Sequence, residues 1–384
     1  MSLSNQDYPR ETIPKHPVLS AATFGRGVQN GLPSLLDAGD ARWVSKGRTA
    51  IALALKHAGV GRNDEVLVPA YHCISMIEPI VLTGARPIFY QINRDTSINL
   101  NDILARLAPS AKALLAAHYF GFPQDVVKLR AFCDEHQLLL IEDCAHAFFG
   151  SVSGNPLGSF GDYAIGSAWK FFPVQDGGCL VSSRRSLHDI ALKASALSDA
   201  KALLNALEYA FGYQRLALLR RLLPLKLKDR IWKKIKTDTY DETSLQFTAG
   251  ADFVCDKISA ASKFIIILAS KARMVGNRRA NYLKLLRAVG NLPGSRALFP
   301  DLPENVAPYV FPLWIETPER VFSELKRSGV PVIRFGEFLW QEMDRTTCPI
   351  SVDLSRRVFQ FPCHQDLTAQ ELDWMIARIR DALQ

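Results

Sequence analysis

From Gly47 to about Leu180, short apolar runs alternate with stretches in which apolar residues recur at helical spacing. This is the pattern of repeated βα units. The runs predict strands at Glu65–Pro69, Pro87–Tyr90, Ala113–His118, Leu138–Ile141, Tyr163–Gly166 and Cys179–Ser182. Helices are expected between them, at about Thr49–Ala58, Ser75–Leu82, Leu100–Leu107 and Gln124–Glu135, each bounded by Gly, Pro, Asn or Asp. Strands this apolar predict an α/β fold whose mostly parallel sheet is covered by helices on both faces.

The alternation stops near Leu187, and residues to about 250 read as helical and basic. Ile258–Val289 then reads as one long helix, followed by strands at Tyr309–Glu316, Val330–Phe335 and Val358–Phe361 and a helix over Pro318–Ser328. Thr368 and Glu371 form a capping-box signature for a last helix. Two domains are expected: residues 1–250, a large α/β domain with a basic helical insertion at about 187–245, and residues 251–384, the long helix with a smaller α+β domain.

Charge adds a local feature to this picture. The net charge of +8 is carried entirely by Arg215–Lys236, which holds nine Lys or Arg against one Asp. A neutral body with one cationic, Leu-rich stretch lacks the spread charge and the motifs of a nucleic-acid binder. Two roles stay open for the stretch: contact with an anionic membrane surface, or a solvated insertion that packs its leucines on the body. No eighteen-residue apolar run occurs and the start is polar, so a cytoplasmic protein, at most peripheral to a membrane, is expected. Seven scattered cysteines without CxxC pairs predict buried thiols, with neither a disulfide framework nor a metal site.

Three short segments offer chemistry. Lys170 stands among Trp169, Phe171 and Phe172 and precedes Gly177-Gly178. Burial would turn its ammonium toward a nucleophilic amine, as a Schiff base needs, while a surface lysine lying over aromatics is the plainer alternative. Asp143 follows the run LLLI at the strand end where α/β sheets place ligands. It suits a protonated ring nitrogen or, equally, a helix cap in a βα loop; His146 suits an aromatic ligand or a core position. Gly47-Arg48-Thr49-Ala50 opens the first helix, whose free N–H groups and Thr hydroxyl suit a phosphate, with Ser167 as a further hydroxyl.

Taken in order, these segments resemble the DegT/DnrJ/StrS family of pyridoxal-phosphate sugar aminotransferases, of the fold-type-I class. The resemblance runs through GRTAIALALKHAGVGRNDEVLVPAYHC (47–73), LTGARPIFYQI (82–92), AHYFGFPQD (117–125), LLLIEDCAHAFFG (138–150), LGSFGDYAIGSAWK (157–170), DGGCLVS (176–182) and FPCHQDLTAQEL (361–372). It implies pyridoxal 5'-phosphate as cofactor, with Lys170 as its Schiff-base lysine and Asp143 against the pyridine nitrogen. His146 would lie near the ring, and Thr49, Ala50 and Ser167 around the phosphate. It also implies a homodimer and amino transfer from an amino acid, glutamate by preference, to a keto-sugar on a nucleotide or lipid carrier. Sugar dehydration with the same cofactor and a non-catalytic scaffold are the alternatives.

The chain departs from the family pattern in three places. Ser167 precedes Lys170 by two residues fewer than is usual. Cys73, beside Tyr71 and His72, stands where many members carry the aromatic that stacks on the cofactor. The Asn-Tyr-Arg element that reaches a neighbouring subunit's phosphate is missing, and the aligned stretch offers Lys257 instead.

Overall fold

The computed structural model describes residues 8–25, 31–194, 196–216 and 256–384. Seven strands form the larger sheet: β1 (Asp40–Val44), β2 (Glu65–Pro69), β3 (Arg86–Tyr90), β4 (Ala111–Ala117), β5 (Leu139–Asp143), β8 (Tyr163–Ser167) and β9 (Gly178–Ser182). A separate hairpin supplies β6 (Ser151–Val152) and β7 (Asn155–Pro156). The sheet order is β1-β9-β8-β5-β4-β2-β3, with β3, β2, β4, β5 and β8 mutually parallel and β9 antiparallel to both β8 and β1. A mostly parallel sheet is therefore what forms. Strands β2, β8 and β9 are buried at every residue, as coverage on both faces requires.

Helices α1 (Gly47–His57), α2 (Ile74–Leu82), α3 (Leu100–Ala105) and α4 (Val126–Glu135) fall where the periodicity predicts. Strand β1 was not expected, because Asp40-Ala-Arg-Trp-Val44 is mostly part-exposed and lacks an apolar run. Helix α5 (Ala196–Gly212) lies within the stretch from about 187 that reads as helical, and residues 187–194 before it are not helical. Within the basic segment, Arg215 donates to Asp366 O at 3.1 Å and pairs with Glu371. Residues from 217 to 236 lie outside the described residues.

The single helix expected over Ile258–Val289 is two helices, α6 (Ala260–Leu268) and α7 (Lys271–Val289). Ala269 is extended, and Ser270 restarts the helix by accepting the Arg273 N–H and donating its own N–H to Thr23 O at 2.9 Å. The second sheet, β10 (Ser295–Ala297), β11 (Val310–Ile315), β12 (Ile333–Arg334) and β13 (Val358–Pro362), is antiparallel in the order β10-β11-β13-β12. Strand β12 is shorter than the expected Val330–Phe335 because Val332 N–H turns back to Val330 O at 2.8 Å and Gly336 takes φ +72°. Helices α8 (Pro318–Arg327), α9 (Pro349–Arg357), which was not foreseen, and α10 (Ala369–Leu383) complete it. The capping box forms as read, with Thr368 N–H to Glu371 at 2.8 Å and Glu371 N–H to Thr368 Oγ1 at 3.2 Å.

His72 ties the layers together. Trp340 N–H donates to its Nε2 at 2.9 Å, so Nδ1 carries the proton and donates to Pro69 O at 3.1 Å. Burial lowers this ring to about 4, and it stays neutral. Among the described residues, no helix is long and apolar enough to cross a membrane.

Candidate active site

Strand register gathers residues far apart in the chain at one edge of the larger sheet. Ser167 pairs with Gly178, and Gly178 with Val44, so the end of β8, the start of β9 and the turn into α1 share one rung. Asp143 sits on the next strand, opposite Ile165. This is the carboxyl edge of the parallel strands, where open α/β sheets bind ligands. A Cβ on Gly178 would run into the Lys46 carbonyl and come within 2.7 Å of Gly47 N, so only glycine permits the crossing. Gly177 N–H donates to Ser45 O at 2.8 Å, and Ala168 N–H to Gly177 O at 2.7 Å.

Helix α1 begins without a side-chain cap. Ser167 Oγ lies 3.9 Å from where a Cβ of Gly47 would stand, and both Thr49 and Ser167 are buried. Neither hydroxyl has a hydrogen bond among the described residues. An uncapped helix start beside two hydroxyls that have no hydrogen bond among the described residues suits an anion. Ala50 lies in the core and its N–H is bonded to Lys46 O at 3.3 Å.

Beside this helix start lies a cluster of packed aromatic rings. Asp143 is 6 % exposed. One of its oxygens accepts the Ala145 N–H at 2.9 Å, which closes a turn where the alternative reading expected a helix cap, while the other has no hydrogen bond among the described residues. Burial raises its pKa above the usual carboxylate range, opposed by the Ala145 N–H and the charges of Lys170 and His118. The ring of His146 stacks on Tyr309 at 4.7 Å and on Phe120 at 5.8 Å, and its Nδ1 accepts the Phe120 N–H at 3.4 Å. Burial, then the charge of Lys170, holds its pKa well below the ordinary value.

Lys170 closes a single turn, Ala168–Lys170, with Nζ 5.4 Å from the Tyr309 ring centre and 5.9 Å from that of Trp169. The flanking aromatics were expected to bury it. Phe171 and Phe172 are buried, but they face the core, and Lys170 itself is only half-buried.

Other expected residues lie at the margin. Cys73 leads into α2 with its thiol 3.1 Å from the Ser75 hydroxyl. It is half-buried, unlike Cys133, Cys144, Cys179, Cys348 and Cys363, because it sits at a helix start; Cys255 lies outside the described residues. Lys257 is exposed and its backbone bridges Val44, which sets it beside the turn into α1 of its own chain. His118, Glu142 and Cys144 also cluster, but Glu142 already accepts N–H groups from Gly158, Phe160 and Gly161 and lies 3.1 Å from His118. They form a satisfied core network.

Sequence reasoning missed Tyr71, Tyr309, Phe335 and Arg278. Phe335 meets His146 edge-on at 5.1 Å and Tyr71 at 4.9 Å. The Tyr71 hydroxyl is buried without a hydrogen-bond partner among the described residues. Arg278 had a legible signal, being in helical phase with the buried Met274, Tyr282 and Leu285.

The chain is similar to known proteins over most of its length. Residues 30–380 match the model of the DegT/DnrJ/EryC1/StrS aminotransferase family. The GDP-perosamine synthase of Vibrio cholerae is 35% identical over 153 residues, 39% of this chain and 42% of the relative. The match spans about half the length of the first curated relatives. A longer match, 26% identical over 340 residues, covers 86% of this chain and 81% of the dTDP-4-dehydro-2,3,6-trideoxy-D-glucose 4-aminotransferase of Saccharopolyspora spinosa. The Streptococcus pneumoniae protein Spr1654 in its PLP form superposes with a TM-score of 0.68 at 16% identity, over 97% of this chain and 98% of that one, which shows the shared fold. A family pattern that runs from the first strand to the last helix leaves one assignment: the chain belongs to the DegT/DnrJ/EryC1/StrS aminotransferase family.

Proposed function

We propose that this chain is a pyridoxal-phosphate aminotransferase that moves an amino group from glutamate to a keto-sugar carried on a nucleotide. The observation that carries the reading is the junction of an Asp143 oxygen without a hydrogen bond among the described residues, a half-buried Lys170 amine and an uncapped helix start with the Ser167 hydroxyl. These groups suit the cofactor's three polar features: a ring N–H, a carbonyl carbon and a phosphate. The Tyr71 hydroxyl, buried without a partner among the described residues, marks a further polar point.

The bound cofactor supplies an electron sink. Asp143 holds the proton on the ring nitrogen, and the Thr49 and Ser167 hydroxyls with the first N–H groups of α1 hold the phosphate still. Lys170 Nζ takes the proton from the donor's α-carbon and returns it on the acceptor side. Purified protein given pyridoxal phosphate, glutamate and a nucleotide 4-keto-sugar should yield the aminated sugar by mass spectrometry. Loss of water without amination would replace this reading with elimination, and cofactor binding with neither product would make the chain a scaffold.

Homodimerisation belongs to the same proposal. Phe264, Ile267 and Leu268 of α6, with Leu203 and Leu204 of α5, leave an exposed apolar stripe. Phe264→Glu should halve the sedimenting mass; an unchanged mass rejects this interface. A lipid carrier, and binding of Arg215–Lys236 to anionic membranes, rest on the charge of that segment alone. Anionic vesicles should co-sediment the protein less after Lys226, Lys228, Lys233 and Lys234 are neutralised, and equal sedimentation removes the membrane role.

A further inference from the structure

Arg278 is fully buried in α7, and no salt bridge to a carboxylate holds it among the described residues. All of its hydrogen bonds go to neutral oxygens. Nε donates to Gln365 Oε1 at 2.9 Å, Nη1 to Tyr309 O at 2.9 Å and Pro308 O at 3.3 Å, and Nη2 to Lys170 O at 2.9 Å and Phe171 O at 3.5 Å. The guanidinium also lies over the Phe171 ring at 4.5 Å. Five N–H groups meet five contacts, which uses the whole donor set of an arginine. Burial lowers its pKa to about 10, so the charge is retained at neutral pH despite the cost.

The contacts fall on two chain segments beside the aromatic cluster. One side is the lysine turn, through the carbonyls of Lys170 and Phe171. The other is the segment entering the second sheet, through Pro308 and Tyr309, whose ring is the one lying nearest under the Lys170 amine. Gln365 braces the lysine-turn side, accepting from Arg278 while its own Nε2 donates to Phe171 O at 2.9 Å.

We propose that Arg278 is a positioning residue for Lys170: its planar fork fixes the lysine turn against Tyr309, and so sets where the amine stands relative to Asp143 and His146. This rests on the proposed role of Lys170 for its effect on turnover, but not for its effect on the lysine itself. Lysine at 278 keeps a charge yet offers three donors from one point, and does not span both sides.

The test uses Arg278→Lys and Gln365→Met in the full chain. In the cofactor-free protein, mass spectrometry follows acetylation of Lys170 relative to the exposed Lys201. The rate ratio should rise about fivefold in Arg278→Lys as the turn is released, and less in Gln365→Met. With cofactor bound, Arg278→Lys should lose about 100-fold in kcat with KM changed less than about threefold, and the visible circular dichroism of the cofactor should weaken. Should Arg278→Lys not fold, Gln365→Met carries the test. A folded variant with wild-type Lys170 labelling overturns the proposal. Absence of amino transfer by the wild-type protein overturns the proposed function instead, and leaves the labelling result to decide the role of Arg278.

Discussion

Lys170→Ala is expected to lower amino transfer by about ten-thousandfold or more, the combined loss of a covalent anchor and a general acid–base. The structure makes the expectation specific. Lys170 is in electrostatic reach of both Asp143 and His146, and its Nζ faces the Tyr309 and Trp169 rings. The methyl group of alanine fits the turn, so folding should survive. Three readings separate loss of chemistry from loss of structure: visible absorbance of the bound cofactor, single-turnover rate, and partial recovery with added methylamine. A variant that retains a rate within about tenfold of wild type would remove Lys170 from the chemistry.

Asp143→Asn should cost about a thousandfold in turnover and, in the cofactor-free protein, leave the melting temperature at neutral pH equal or higher. The two effects have opposite signs for one reason. Burial raises the carboxyl pKa in the fold above its unfolded value. Its contribution to stability is therefore complete below the unfolded pKa and is lost as pH rises through the folded one. Asparagine keeps the shape and an oxygen for the Ala145 N–H but carries no charge, so the variant should lack this loss when unfolding is followed from pH 4 to pH 8. If Asp143 served only the turn, turnover would change little. A thousandfold loss without destabilisation identifies a carboxylate kept for a ligand's ring nitrogen.

Much of this was legible before any coordinates. Glu65–Pro69 forms a strand with the expected limits because a short apolar run between turn residues is a local signal. The segments containing Asp143, Ser167 and Lys170 were visible as motifs, yet their meeting was not. It depends on β9 reversing direction and on the pairing of Val44, Gly178 and Ser167, which are facts of register. The break at Ala269–Ser270 was hidden because a serine reads the same inside a helix as at its start until a neighbour, here Thr23, takes its N–H. Arg278 sits next to Arg279, and only the phase of α7 decides which of the two goes inward. Phe335 joins the aromatic cluster from just beyond a strand that the pattern overextended, so its position could not be inferred from spacing.

The shared rung of Val44, Gly178 and Ser167 also governs how such a chain tolerates change in length. Adding one residue within any of these three strands would turn alternate side chains over and carry the Ser167 hydroxyl away from the helix start. Growth must therefore occur elsewhere, in connections that leave the rung untouched. The hairpin of Ser151–Val152 and Asn155–Pro156, between the strands ending at Asp143 and Ser167, is such a place, where a relative can lengthen its loop while its ligand cradle stays in step.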